Sequence, residues 1–324
     1  MKKTKTLFVS IIIPTYNAQK FIDRCLRSIQ KQNYPKTFFE VLVIDGGSSD
    51  KTLEIAKKYR AKILKNPFKD AESGKAIGIE HARGDIIGLI DADNELVEKN
   101  WLTEMVKPLQ ENEKIFGVES PWYVRKKDPL INQYVTLLVI ADPLARRFHP
   151  HMQEENKGSY VIYHLKTGQT PVIGANGFLW RKKYIKLINR YKPKFEEVNY
   201  ISLMVEHGYL VYAKVKHVGI HHYYCTSLGN YIKKRAKIGR KFMLRKQKGQ
   251  TTWVDQSRGN DFLLGILYNV SIIGPTLEMI KELIKTKKIA WVWHPVISFI
   301  TIIIYAYTFF EVKIKSLFHQ KTYA

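Results

Sequence analysis

A chain of 324 residues, 45% hydrophobic and 25% charged, can bury a large core and does not have the composition of a disordered protein. Its 53 Lys and Arg outnumber 29 Asp and Glu, and the net +24 calls for an acidic partner: nucleic acid, anionic lipid or a phosphorylated substrate. Two cysteines, Cys25 and Cys225, are too few and too far apart for a disulfide framework or a zinc site and are expected as reduced thiols of a cytosolic domain.

The opening "MKKTKTLFVSIIIPTYN" imitates a signal peptide, but its apolar run is short, no small-residue cleavage site follows, and "PTYN" is turn chemistry. A first β-strand over 8–14 is expected instead. Phe21, Ile22, Cys25, Leu26 and Ile29 then fall on one face of a helix. "FEVLVID" (39–45) predicts the second strand, "SSD" the capping side chains of a helix, and Leu53, Ala56 and Tyr59 that helix's inner stripe. "AKILKN" and "DIIGLID" predict two more strands, with "GKAIGIEHARG" between them as a short helix closed by Gly84. Alternating β and α with continuous apolar strands predicts an α/β fold, a doubly wound, mostly parallel sheet covered by helices on both faces.

The middle region, about 101–225, is less regular. After it, "YIKKRAKIGRKFMLRKQK" predicts a helix carrying nine basic residues among the sixteen from Lys233 to Lys248. The apolar runs 261–280 and 289–310 approach membrane-spanning length, and Trp291, Trp293, Tyr305 and Tyr307 suit interfacial positions. The basic segment between the runs conflicts with a simple hairpin through the membrane if the rest is cytosolic. One span plus an interfacial helix, or two re-entrant helices, removes the conflict.

Ligands of such sheets bind outside the carboxyl ends of the strands, where strand order reverses. "PTYN", Asp45, and the pair Asp91 and Asp93 all sit at those ends. Two aspartates ending an apolar strand need a cation or hydrogen-bond donors, because unpaired buried charge is costly. In an extended D-A-D both carboxylates point the same way and suit Mg²⁺ or Mn²⁺, which also take substrate phosphates. The placement points to a nucleoside diphosphate site.

"VSIIIPTYNAQKFIDRCLRSIQKQNYP", "FEVLVIDGGSSDKTLEIAKKY" and "GKAIGIEHARGDIIGLIDADNEL" resemble the N-terminal half of family 2 glycosyltransferases, which have the GT-A fold. The match covers about residues 7–105 and, more loosely, 170–245. The resemblance implies that Pro14, Tyr16 and Asn17 line the base and ribose and that Asp45 hydrogen-bonds the base. It also puts Asp91 near the ribose and metal, Asp93 as the main metal ligand, and Lys75 near the nucleotide. "GANG" with Gly174, Asn176 and Arg181 resembles the acceptor-side loop, and "FEEVN" the acidic motif that supplies the catalytic base. Glu197 is favoured, with Glu196 as the alternative, since Asn199 stands where the family has Asp. His222 resembles a downstream histidine that reaches the metal or diphosphate.

The domains implied are a glycosyltransferase domain over 1–250, divided into a nucleotide-binding half (7–105) and an acceptor half (106–250), and a membrane-associated region over 258–324. The implied protein is a metal-dependent inverting glycosyltransferase using Mn²⁺ or Mg²⁺. It would take a nucleotide-sugar donor, with uridine as the base by family habit, and a lipid-linked or surface-glycan acceptor. The location implied is the cell membrane, with the catalytic domain facing the cytoplasm and the basic helix on an anionic membrane surface. A polyprenyl phosphate monosaccharide synthase is the runner-up, but "NELVEKN" departs from the Gln-His-Pro-Pro-like segment expected there. Processive synthesis lacks its Gln-x-x-Arg-Trp motif. A dead binding module is disfavoured by the intact carboxylates, and a nucleic-acid partner by the lack of a reading motif or interleaved aromatics. A dinucleotide oxidoreductase would need a Gly-rich turn after the first strand.

Overall fold

The structure, a computed structural model, describes residues 5–138, 141–147, 151–168, 171–174, 176–247 and 259–320. The chain divides into two compact units, one formed by 1–123 and 150–222, the other by 124–149 and 223–324.

The first unit begins β1 (Val9–Thr15), α1 (Ile22–Gln30), β2 (Phe39–Asp45), α2 (Thr52–Lys58), β3 (Lys62–Lys65), α3 (Ala71–His81) and β4 (Ile86–Leu89). It continues with β5 (Glu95–Leu96), α4 (Trp101–Glu111), β6 (Ile115–Glu119) and β7 (Trp122–Tyr123). The second unit interrupts it with α5 (Leu130–Val135) and α6 (Pro143–Arg147). Then follow β8 (Gln153–Asn156), β9 (Tyr160–His164), β10 (Phe178–Arg181), α7 (Lys182–Ile188), α8 (Glu197–Glu206), β11 (Val211–Val215) and β12 (Ile220–His221).

Among the described residues these strands form a nine-stranded sheet, β3-β2-β1-β4-β10-β6-β11-β9-β8, and a small sheet, β5-β12-β7. The first four strands are parallel, as their continuous apolar runs predict. β10 enters antiparallel between β4 and β6. Register fixes the site: Thr15 pairs with Asp45 across β1 and β2, while Ile12 pairs with Leu89 across β1 and β4. The loops after β1, β2 and β4 therefore leave one edge side by side, at the point where strand order turns back on β1.

Each sheet face has its own core. Ile11, Ile13 and Val43 pack with Ile22, Cys25 and Trp101. Ile12, Leu42 and Ile44 pack with Ala76, Trp180 and Phe195 on the other face. α3 lies so close to β1 that a Cβ on Gly78 would sit 2.3 Å from Ile12 Cγ2, which makes glycine necessary there. The α3 helix starts earlier than the sequence suggested, because Asp70 caps it by accepting from Ser73 N at 2.9 Å. Gly84 does not close that helix. Its role is close approach to β1, since an added Cβ would lie 2.6 Å from Ser10 N.

The second unit also holds α9 (Leu228–Gln247), α10 (Gly259–Val270), α11 (Ile273–Thr286) and α12 (His294–Gln320). The basic helix α9, grouped by sequence with the first domain, packs along α12 in this unit. Arg235 Nη1 meets Asp142 Oδ2 at 3.1 Å with both side chains buried, and Tyr134 Oη meets His294 Nδ1 at 2.7 Å. One helical stretch of the described residues, Ile289–Ser316, is long and apolar enough to cross a membrane. The other apolar run bends by 77° between α10 and α11, so it is not one straight span.

Candidate active site

Asp45, buried at the end of β2, turns its carboxylate into the loop that follows. Oδ2 accepts from Gly47 N and Ser48 N, both at 2.9 Å, and Oδ1 accepts from Ser48 Oγ. Ser48 Oγ in turn accepts from Asn17 N at 2.9 Å, and Asn17 Oδ1 accepts from Ser49 N at 2.9 Å. Asn17 adopts a left-handed conformation, φ 47°, which asparagine tolerates better than most residues. These bonds join the β1 and β2 loops, leaving Tyr16 55% exposed above buried Pro14. In sequence, "SSD" reads as a helix cap, and nothing in it marks the bonds that Ser48 makes. Asp50, the last residue of that tripeptide, accepts through Oδ1 from Thr52 N, at the start of α2, at 2.9 Å.

After β4 the chain does not stay extended through Asp91 and Asp93. It makes a turn in which Asn94 N donates to Asp91 O at 3.0 Å, leaving both aspartates half-buried on either side of buried Ala92. Asp93 Oδ1 lies 3.9 Å from His222 Nδ1, and that nitrogen lies 2.7 Å from Asn94 Oδ1. Asn94 Oδ1 is an acceptor, so the ring nitrogen donates to it. The Trp122 ring, 5.1 Å away by centroid, packs against the imidazole, and its Nε1 donates to Asn176 O at 3.3 Å. Asn94 and Trp122 were not identified from sequence, though Asn94 directly follows the aspartate pair.

Lys75, on α3, forms a buried ion pair with Glu197, the first residue of α8. Burial pushes the Glu197 carboxyl up, with Lys75 acting in the opposite sense and Asp91 reinforcing the rise. Burial alone would lower Lys75, but Glu197 and Asp91 more than offset it and hold the ammonium form. Asp91 thus acts electrostatically on both partners. Glu196 is the α8 N-cap residue and accepts from Asn199 Nδ2 at 2.8 Å. Gly174, at φ +93°, lies against α8: a Cβ there would come within 3.2 Å of Glu197 O and 3.1 Å of Ile201.

Arg181 is not brought to this edge. β10 runs antiparallel to β4, so Arg181 pairs with Ile86 at the opposite end of the sheet. Its guanidinium is buried there, donating from Nε to Ile115 O at 2.8 Å and from Nη2 to Asn112 O at 3.0 Å beyond α4.

No group of three or more His, Cys, Asp or Glu donors gathers at one point among the described residues. Asp93 and His222 nonetheless bring a carboxylate and an imidazole together, 3.9 Å apart at Oδ1 and Nδ1. A divalent ion that retains water and shares substrate phosphates needs no more from the protein than one or two such groups.

The profile described as glycosyl transferase family 2 matches residues 10–188, more than half of the chain. A Methanococcus voltae dolichyl N-acetyl-alpha-D-glucosaminyl phosphate 3-beta-D-2,3-diacetamido-2,3-dideoxy-beta-D-glucuronosyltransferase is 25% identical over 330 residues, 95% of this chain and 98% of that protein. The Staphylococcus aureus poly(ribitol-phosphate) beta-N-acetylglucosaminyltransferase TarS is 41% identical over 91 residues, but these are 26% of this chain and 16% of the relative. Among solved structures, the Pyrobaculum calidifontis mannosyltransferase PcManGT, in complex with GDP-Man and Mn²⁺, superposes with a TM-score of 0.58 at 14% identity. It covers 95% of this chain and 88% of its own. The fold is therefore the expected GT-A arrangement. With the family profile running from β1 through α7, this chain belongs to glycosyl transferase family 2.

Proposed function

We propose that the chain is a membrane-associated, metal-dependent inverting glycosyltransferase that moves a sugar from a nucleoside-diphosphate donor to a lipid-linked or glycan acceptor. The observation that carries this reading is the buried ion pair of Lys75 with Glu197, on which Asp91 acts electrostatically. Glu197 is the base: it takes the proton of the acceptor hydroxyl as that oxygen bonds to the anomeric carbon. The bond from that carbon to the donor's phosphate oxygen breaks at the same time, and its electron pair leaves with the nucleoside diphosphate. A single displacement inverts the anomeric centre. Lys75 keeps the buried base ionised and offers an ammonium to the departing phosphates.

Pro14, Tyr16, Asn17 and Asp45 form the base and ribose wall, with Asp45 and Ser48 setting the loop's shape. Gly174 and Asn176 border the acceptor side. Asp93 and His222 would hold Mn²⁺ or Mg²⁺, with Asp91 close by, and the ion would neutralise charge on the leaving diphosphate. The name of the Methanococcus relative, which covers nearly all of this chain, supports an acceptor already carrying a sugar on a lipid phosphate over polyprenyl phosphate itself. The apolar helices accord with a membrane location, and the catalytic unit would face the cytoplasm.

The test is thermal stabilisation of the full chain by UDP, GDP, ADP and CMP, each with Mn²⁺ or with EDTA. One nucleotide is expected to raise the melting temperature by about 4 °C or more at high saturation, only with metal and not in Asp93→Ala. No shift with any nucleotide would contradict the reading.

A further inference from the structure

We propose that the second unit lies in the plane of an anionic bilayer, with α12 along the interface and not across the hydrocarbon. This inference rests on the membrane reading above and specifies its mode. By length and composition α12 qualifies as a span: the stretch Ile289–Ser316 has 28 residues, and an 18-residue window within it reaches a mean hydropathy of 1.8. Its neighbour opposes that. α9 runs beside α12 in parallel register: Tyr231 Oη meets Thr301 Oγ1 at 2.8 Å, and Arg235 Nη1 meets Tyr305 Oη at 3.4 Å. One turn on, a Cβ on Gly239 would lie 2.7 Å from Thr308 Oγ1, and Arg240 Nε meets Glu311 Oε2 at 2.6 Å.

The α9 segment locked in this way carries Lys233, Lys234, Arg235, Lys237, Arg240 and Lys241 within Tyr231–Lys241. Lys233 and Lys237 are exposed. Thr301 lies near the middle of the apolar stretch, so a crossing α12 would carry these ammonium groups to mid-bilayer. Each would weigh against insertion by on the order of a hundredfold. Lying in the plane, the same lysines reach the headgroups, where anionic lipid attracts them.

The distribution of apolar side chains fits that posture. α12 turns Ser298, Thr301 and Thr308 inward and leaves Ile303, Tyr307, Phe310 and Ile314 exposed. The α10 to α11 bend occurs at Ile272, φ +60°, and exposes Leu264, Leu267, Ile273, Leu277 and Ile284. Such helices seat shallowly, within about 5–10 Å of the headgroup boundary. A groove of about 540 Å³ between α9 and α12 has Ile232, Ala236, Ile303 and Ile304 in its walls, with Lys233 and Arg240 also lining it. Apolar walls with cationic groups suit an acyl chain beneath a phosphate. The in-plane posture also keeps the basic segment before α12 on the side of the other basic segments.

Single cysteines replace Lys288 and Lys313, which bracket the apolar run 289–310, in the full chain in sealed inside-out membrane vesicles from expressing cells. A membrane-impermeant maleimide should label both positions before detergent, to within about twofold of the extent reached after it. Labelling of only one position before detergent would overturn the in-plane posture while leaving the membrane reading intact. Flotation of purified protein with phosphatidylglycerol and phosphatidylcholine vesicles tests that reading separately. No flotation with either would reject both, and a stable dimer in that experiment would identify a second copy as the cover of the apolar face. Lys233→Glu with Lys237→Glu should lower partitioning onto phosphatidylglycerol vesicles more than about tenfold. Unchanged partitioning would contradict headgroup placement of α9.

Discussion

Lys75 and Glu197, 122 positions apart in the chain, close on each other as a buried ion pair between α3 and the start of α8. For the proposed base, its consequence is a carboxylate that remains ionisable in a dry setting. Burial pushes Glu197 above the ordinary glutamate range, so its protonated, inactive form persists to higher pH and activity should rise with pH through a limb above that range. Lys75→Met removes the charge that opposes the rise. The limb should move upward by about one pH unit or more, and kcat/KM at pH 7 should fall at least about tenfold. A pH–rate profile of both proteins checks this, and an unmoved limb would separate Lys75 from the base.

Gly174→Ala tests the contact that sets α8. The position has φ +93°, and a Cβ would press on Ile201, Trp180 and Glu197 O. We expect a loss of about 1–3 kcal/mol in stability from backbone strain. Displacement of Glu197 should also reduce kcat more than donor affinity. Denaturant unfolding and steady-state kinetics measure the two effects independently.

Ser48→Ala removes the hydroxyl that joins Asn17 N to Asp45 Oδ1. Two lost hydrogen bonds should cost about 1–3 kcal/mol locally. Because the loop lines the proposed donor wall and not the acceptor side, the donor KM should rise while kcat changes little. Titration of nucleotide binding by calorimetry gives the same quantity without turnover.

Glu80 supplies a stability test remote from the site. Its carboxyl is held down to about 2 by hydrogen bonds from Tyr191, Lys192 and Lys186. A lowered value stabilises the fold above the unfolded glutamate range, and the contribution disappears as pH falls toward 2. The group is exposed, so screening limits the effect to below about 1 kcal/mol. Glu80→Gln should be slightly less stable at pH 7 and equal to the parent near pH 2, as chemical denaturation at the two pH values would reveal.

The half of the site built on parallel strands was legible in sequence. Buried parallel strands are continuous apolar runs, so the polar residues that end them, Asp45 and Asp91, stand out at the correct edge. The Asp91–Asp93 segment was placed correctly but given the wrong conformation, since the bond from Asn94 N to Asp91 O that turns it is a backbone feature. Arg181 illustrates a different limit. A four-residue strand carries no mark of its direction, and β10, running antiparallel, takes Arg181 to the far end of the sheet. The partnership of Lys75 with Glu197 depends on the packing of α3 and α8 on one sheet face, and no local pattern encodes it. The break at Ile272 had a signal in the following Gly274 and Pro275, which the apolar run concealed.

The most direct test of the central claim compares Glu197→Gln with Glu196→Gln in transfer assays using the nucleotide identified by thermal shift, with donor affinity measured alongside. Glu197→Gln should lower kcat by about 10²–10⁴ while donor affinity stays within about threefold, and Glu196→Gln should stay within about tenfold of the parent. If Glu197→Gln retains near-parental kcat, or Glu196→Gln suffers the larger loss, Glu197 is not the base and its pairing with Lys75 is structural.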